Sequence, residues 1–177
     1  MIAGELDISI GAMVPAGAMI MGVTSGYFGL PIPVGILATL SFGVLVGLIN
    51  GFMVIRTAVP SLIVTLGTLF AVQGLTLGVT VMVTGSTSVA LQAPAFYKAI
   101  FGDFIGVSLQ VIVFWWLGIT AFYIFFLHFS KYGNWVFALG GDRESARNAG
   151  IPTSKMTTIL FVLSATSAAF IGMCQTI

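Results

Sequence analysis

Long apolar runs alternate with short polar breaks along the whole chain. A helix needs about 20 residues to cross roughly 30 Å of hydrocarbon, and five of the runs approach or exceed that length. None of the five contains Asp, Glu, Lys or Arg, which are costly in the bilayer interior. The pattern predicts an all-α, polytopic membrane helical bundle. The predicted spans are Ile8–Gly29, Val34–Ile55, Val59–Val83, Val107–Phe129 and Met156–Ile177.

The breaks between the first spans contain turn-forming residues. They fall at Gly29–Pro33, at Arg56–Pro60 and at Thr84–Ser88, where Gly, Pro, Ser and Thr cluster. Because the first two breaks are short, the first three spans should form tight helical hairpins. We therefore interpret residues 1–177 as a single transmembrane domain.

The basic residues predict the orientation of the spans. The loop of residues 130–155 is rich in Lys and Arg, whereas the loop of residues 84–106 contains only Lys98. Loops rich in Lys and Arg stay in the cytoplasm, so the first loop is predicted to be cytoplasmic and the second external. The same alternation places Arg56 inside and the turn at Pro31–Pro33 outside. The basic residues of the cytoplasmic loop are Lys131, Arg143, Arg147 and Lys155.

The composition supports a membrane protein and excludes other classes. The chain is 58% hydrophobic and 6% charged, with a mean hydropathy of +1.13, whereas a soluble domain has about 25% charged residues. A net charge of +1 gives no basic surface for nucleic acid. Cys174 is the single cysteine, so no disulfide can form within the chain.

Small residues recur at helical spacing in several spans. This spacing lets helix backbones approach closely in lipid, where apolar burial cannot drive association. It predicts close helix packing and says nothing about cargo. The sets are Gly43, Gly47 and Gly51, then Gly22 with Gly26, then Gly74 with Gly78.

A few polar residues lie inside the spans. Each could face a translocation path, or could instead bond a neighbouring helix, and the sequence leaves both roles open. Pro15 and Pro60 can each break or kink a helix, and broken helices at membrane depth often border a cavity. The candidate path residues are Asn50, Thr65, Thr68 and Gln73.

The spans contain no recognisable catalytic or metal-binding set. Ser/His/Asp, Cys/His and paired-carboxylate arrangements are missing from them, and no G-x-x-x-x-G-K-[ST] phosphate loop occurs. His128 lies beside Lys131 and Tyr132, a group typical of an interfacial anchor rather than a metal site. We therefore expect no enzymatic activity, no metal and no cofactor. If ATP is used, another polypeptide binds it.

One polar stretch, residues 138–152, interrupts the apolar pattern. Residues 142–149 predict a helix of about two turns, which Asp142 can cap and whose dipole Arg147 complements near its C-terminal end. Gly150 suits the left-handed position that ends such a helix. A helix this short is marginal alone in water. We expect it either to dock on another protein or to form part of a solvated interhelical loop.

Three motifs, taken together, resemble one known family. Gly4–Gly11 is similar to the sequence Gly-Gly-Ile-Asp-Leu-Ser-Val-Gly, and Pro60–Thr68 is similar to a proline-led Ile-Ala-Thr-Leu segment. Phe137–Gly141, with the charged helix and Gly150-Ile151 after it, resembles a cytoplasmic coupling loop. All three occur in this order in permease subunits of bacterial ABC importers for simple sugars, the ribose/xylose type. They cover nearly the whole chain.

The resemblance implies a multi-pass permease subunit of the bacterial inner membrane, working by alternating access. The loop of residues 130–155 would couple it to a cytoplasmic ATP-binding subunit. Its other implied partners are a second, identical or different permease subunit, a periplasmic or lipid-anchored sugar-binding protein, and membrane lipid. The residues implied in ATPase coupling are Gly140, Gly141, Asp142, Arg143, Glu144, Ala146, Arg147 and Gly150.

The chain departs from the family pattern in two ways. Glu5 replaces a glycine that many members have, and we attach no function to it. Members also have a hydrophobic region before the matching part and several spans after it, so we expect this chain to be part of a longer protein. The alternatives are an ABC permease for branched-chain amino acids or autoinducer-like cargo, and a secondary transporter or channel. Proton-coupled transporters usually need ionisable groups inside the membrane, and these spans have no carboxylates.

Overall fold

The computed structural model describes residues 2–57, 59–105 and 109–177 and is almost entirely helical. Five of its helices are long and apolar enough to cross a membrane, which confirms the predicted all-α, polytopic bundle. The five are α1 (Ile10–Met21, continued by a π-helix at Gly22–Tyr27), α2 (Ile32–Arg56), α3 (Ser61–Thr84), α5 (Ile112–Phe129) and α8 (Thr153–Thr176). The shorter helices are α4 (Ala95–Phe101), α6 (Lys131–Gly141) and α7 (Arg143–Asn148).

Most span boundaries differ from the sequence prediction by a few residues, and the starts of the first and fourth spans differ for reasons that the structure shows. The first helix begins at Ile10 rather than Ile8, because the residues before it are bonded to α3 instead of continuing a helix. The predicted start of the fourth span, Val107, and the end of the loop before it, Gly106, lie outside the described residues. The fourth span begins at Ile112, after a short antiparallel pair of strands, β1 (Phe104–Ile105) and β2 (Leu109–Gln110).

Helix α8 packs against both α1 and α2 through small residues. A Cβ atom at Gly43 would lie 2.8 Å from Cα of Thr166, and one at Gly51 would lie 2.8 Å from Cα of Thr158. Carbon atoms in contact are normally about 3.5–4.0 Å apart, so the two backbones approach as closely as glycine permits. Gly17 of α1 is similarly close to Ala169 of α8. The predicted helix-packing role of this first glycine set is confirmed.

The other two glycine sets do not pack helix against helix. Gly22 and Gly26 lie against the loop residues Val89 and Ala90. A Cβ atom at Gly74 or at Gly78 would have no atom of the described structure within 4 Å, apart from its own helix backbone. Within the described residues, neither set brings two helices together, because spacing alone does not determine which face of a helix meets a neighbour.

Different loops lie at the two ends of the bundle. One end holds the residues before α1, the end of α2, the start of α3 and helices α6 and α7. At this end Leu6 bonds Ser61, and Glu5 pairs with Arg143. The opposite end holds the 84–106 loop and the end of α8, where Gly102 contacts Ile177. This grouping agrees with the predicted alternation of loops. The orientation relative to the cell stays a prediction.

Candidate functional site

The eight residues before α1, Ile2–Ser9, form a non-helical stretch that we call the N-terminal segment. Its amide groups cannot form helical hydrogen bonds, and α3 supplies acceptors instead. The amide of Leu6 donates to Ser61 Oγ at 3.1 Å, and the amide of Ile8 donates to Thr65 Oγ1 at 3.2 Å. Irregular backbone at membrane depth is tolerated where protein groups satisfy it. Thr65 therefore has a structural role in holding this segment.

A chain of hydrogen bonds continues from the segment into α2 and α3. Thr68 Oγ1 donates to Asn50 Oδ1 at 2.6 Å, and Asn50 Nδ2 donates to Ser9 Oγ at 3.0 Å. Ser9 Oγ in turn donates to Asp7 Oδ1 at 2.5 Å. Ser9 and Asn50 are fully buried. The buried second carboxylate oxygen of Asp7 has no hydrogen-bond partner among the described residues.

The structure brings together three of the four predicted path residues. Asn50, Thr65 and Thr68 all lie at the N-terminal segment, whereas Gln73 is exposed further along α3. Their role in a translocation path stays a prediction. Sequence analysis used Asp7 and Ser9 only as part of the Gly4–Gly11 motif and did not list them as candidate site residues. The signal was present, because Asp and Ser two residues apart just before a helix favour the side-chain-to-backbone turn that they form here.

A cavity of about 770 Å³ opens beside the N-terminal segment, between it and helices α5, α6 and α8. Small-molecule sites typically have volumes of about 300–1,000 Å³. Most of the cavity wall is apolar, and Glu5, Asp7 and Thr157 are among its polar residues. Tyr123 of α5 also borders it, with its hydroxyl 2.6 Å from Ser167 Oγ of α8. The described residues contain no cluster of three or more His, Cys, Asp or Glu that could hold a metal ion.

Helix α7 has the terminal features predicted for it. Asp142 accepts hydrogen bonds from the amides of Glu144 and Ser145, and Gly150 has a φ of +82°. Hydrogen bonds from the side chain and amide of Ser145 lower the pKa of the Asp142 carboxyl below its ordinary value. The helix covers Arg143–Asn148, one residue shorter at each end than predicted. Both predicted capping roles are confirmed.

Helix α6, which precedes α7, was not predicted from the sequence. Ser130 caps it, accepting a hydrogen bond from the Gly133 amide at 3.2 Å, and Val136 and Leu139 form its buried face. The glycine pair Gly140-Gly141 ends this helix rather than forming an open turn. Asp142 alone separates α6 from α7. The two helices thus form one continuous feature, which we call the α6–α7 segment (Lys131–Asn148).

The side chains of α7 divide between the bundle and solvent. Ala146 is buried, whereas Glu144 and Arg147 are exposed. Arg143 contacts its own chain, because its Nη1 lies 2.6 Å from Oε1 of Glu5. Sequence analysis attached no function to Glu5. Gly140 also meets the N-terminal segment, since a Cβ atom there would overlap the carbonyl oxygen of Ile2.

Comparison with known proteins decides the family. All 177 residues match the family described as branched-chain amino acid transport system / permease component. The chain belongs to this family. Its members are transporter components rather than enzymes, and this one is a multi-pass membrane protein with five candidate spans. The permease resemblance inferred from the three motifs is confirmed.

Individual relatives of this permease-family chain are named for sugar and autoinducer import. It is 33% identical to the xylose/arabinose import permease protein of Sulfolobus acidocaldarius over 81% of its length and 38% of the relative's. It is 29% identical to the L-arabinose ABC transporter permease protein of Azospirillum brasilense over 96% of its length and 48% of the relative's. It is 31% identical to the autoinducer 2 import system permease protein of Escherichia coli O9:H4 over 95% of its length and 51% of the relative's. The chain therefore spans about half or less of these relatives. No solved structure matches it.

Proposed function

We propose that this chain forms part of the permease subunit of an ATP-driven, binding-protein-dependent importer of sugars, and that residues 142–150 dock the ATPase. The observation that carries the docking proposal is that α7 is ordered although it is very short. A helix of six residues is unstable alone, yet this one is capped at both ends and anchored by buried Ala146. Its exposed Glu144 and Arg147 are then left for a partner. Such a helix can transmit force without unfolding.

The partners follow from what an importer of this kind requires. ATP hydrolysis would occur on a separate cytoplasmic subunit, because this chain has no phosphate loop. A second permease subunit would enclose the path, and a sugar-binding protein would deliver cargo at the external end. Closure of the ATPase subunits would move the α6–α7 segment, and the packed spans would follow as a rigid body.

Sugars are the preferred cargo because the relatives described above are named for pentose and autoinducer 2 import. Branched-chain amino acids are the second candidate, because the family description names them. Uptake of labelled pentose and labelled leucine by cells that depend on the permease containing this chain distinguishes the two. Leucine uptake without pentose uptake would refute the sugar assignment.

The docking proposal is tested by reversing an exposed charge on α7. Arg147→Glu should leave membrane insertion intact and weaken ATPase co-purification severalfold or more. Helix-dipole effects alone amount to about 0.3–1 kcal/mol, whereas loss of a buried interfacial charge pair costs about 2–5 kcal/mol. Lys155→Glu is the matched control, because Lys155 is an exposed cation outside α7, in the first turn of α8. Equal ATPase binding by parent, variant and control would overturn the proposal.

A backbone substitution tests the same site by another route. Gly150 has a φ of +82°, a conformation that a β-branched residue strongly disfavours. Gly150→Val should therefore distort the end of α7 and reduce ATPase co-purification. Gly85→Val is the control, because Gly85 has a similar φ of +71° at the opposite end of the bundle. If both variants lose the ATPase equally, general misfolding rather than docking explains the effect.

A further inference from the structure

The N-terminal segment contacts three separate parts of the bundle. Its backbone is held to α3 by the hydrogen bonds of Leu6 and Ile8, and Ser9 is bonded to Asn50 of α2. On its other side it meets the α6–α7 segment. The N-terminal segment therefore lies between the proposed ATPase dock and the two helices that carry the buried polar chain.

Two contacts join the N-terminal segment to the α6–α7 segment. One is the ion pair between Glu5 and Arg143, with 2.6 Å between Oε1 and Nη1. The other is the backbone contact of Gly140 with the carbonyl of Ile2, which leaves no room for a side chain at residue 140. Arg143 Nη2 also lies 3.5 Å from Thr157 Oγ1 at the start of α8.

The ion pair is partly shielded from water. The Glu5 side chain is 20% exposed and the Arg143 side chain 44% exposed. A pair with this exposure contributes little to the stability of the whole fold. As a short charge-assisted contact, it restricts both side chains and so favours one orientation of α7 on the segment. The pair is therefore suited to transmitting position rather than to holding the bundle together.

We propose that Glu5 and Arg143 are positioning residues for transport. Their ion pair passes movement of the α6–α7 segment to the N-terminal segment, whose hydrogen bonds carry it to α3 and to Asn50 of α2. This inference rests on the proposed ATPase docking at α7. It assigns Arg143 to intramolecular transmission and leaves Arg147 to contact the partner.

Charge reversal and charge exchange test the proposal in the permease that contains this chain. The variants are Glu5→Arg, Arg143→Glu and the double exchange, with Lys155→Glu as the control. The measurements are ATPase co-purification, ATP hydrolysis, and molecules of substrate imported per ATP hydrolysed. Glu5→Arg lies outside the docking residues and should retain the ATPase. Both single reversals should lower import per ATP about fivefold, the ratio that corresponds to about 1 kcal/mol. The double exchange should restore import per ATP.

The neutral variants Glu5→Gln and Arg143→Gln keep side-chain size and serve if a reversal fails to reach the membrane. They should show a smaller loss in the same direction. Normal import per ATP in the single variants, or a double exchange that does not restore it, overturns the transmission role. In that case ATPase binding by the parent still supports the docking proposal. A parent that binds no ATPase overturns both.

Discussion

Gly43 of α2 and Gly74 of α3 both belong to sets of glycines spaced four residues apart, but their surroundings differ. A Cβ atom at Gly43 would lie 2.8 Å from Cα of Thr166, whereas one at Gly74 would have nothing of the described structure within 4 Å. The same substitution, glycine to alanine, should therefore have opposite effects at the two positions. We expect Gly43→Ala to destabilise the bundle relative to Gly74→Ala.

The size of the difference follows from the geometry. Carbon atoms in contact need about 3.5 Å, so α2 and α8 must separate by roughly 0.7 Å to accept the new methyl group. Overpacking of this kind typically costs about 1–3 kcal/mol. Alanine favours a helix over glycine by about 0.8–1.0 kcal/mol at both positions, so this gain cancels in the comparison. Gly74→Ala should retain the whole gain, and the pair should differ by about 1–3 kcal/mol.

Thermal unfolding of the two variants and the parent in the same detergent measures the effect. For a chain of this size, 1 kcal/mol corresponds to about 2–4 °C in Tm. Gly43→Ala should unfold at least about 2 °C below Gly74→Ala. If the two variants shift Tm equally and in the same direction, the close contact between α2 and α8 is not present in the protein.

Other predictions concern the polar residues and the loops. Asn50→Leu removes one buried and one partly buried side-chain hydrogen bond and should cost about 1–2 kcal/mol, whereas Gln73→Leu at an exposed position should leave Tm nearly unchanged. The pKa of Asp142 is lowered below its ordinary value of 3.8, so its capping contribution is complete above that value and disappears as the pH falls through the lowered pKa. Hydrogen exchange at the Ser145 amide should therefore show constant protection, corrected for intrinsic rate, from about pH 7 to pH 5, with loss only in stronger acid. In a cysteine-free background, an impermeant thiol reagent should label Ser88→Cys and not Ser145→Cys in intact cells, and the reverse labelling would refute the orientation.

The sequence alone was sufficient for the membrane spans and for the ends of α7. A span must satisfy its own backbone hydrogen bonds within lipid, so a long uncharged run predicts a helix without knowledge of its neighbours. The caps are equally local, since Asp142 bonds amides two and three residues ahead. Gly150 likewise takes its left-handed conformation at the helix end where it was expected. Helix α6 escaped prediction because it contains Gly133, Gly140 and Gly141, and glycine is a poor helix former.

Only the tertiary structure could show which polar side chains meet. Glu5 and Arg143 are 138 residues apart, and no local pattern pairs them. Asn50 was a candidate from sequence, but its partners Ser9 and Thr68 depend on how α1, α2 and α3 are rotated about their axes. The glycine sets at residues 43–51 and 74–78 have the same spacing, and only the first lies against a helix. Helix formation in a membrane is determined within each span, whereas the faces that meet are determined by packing among all the spans together.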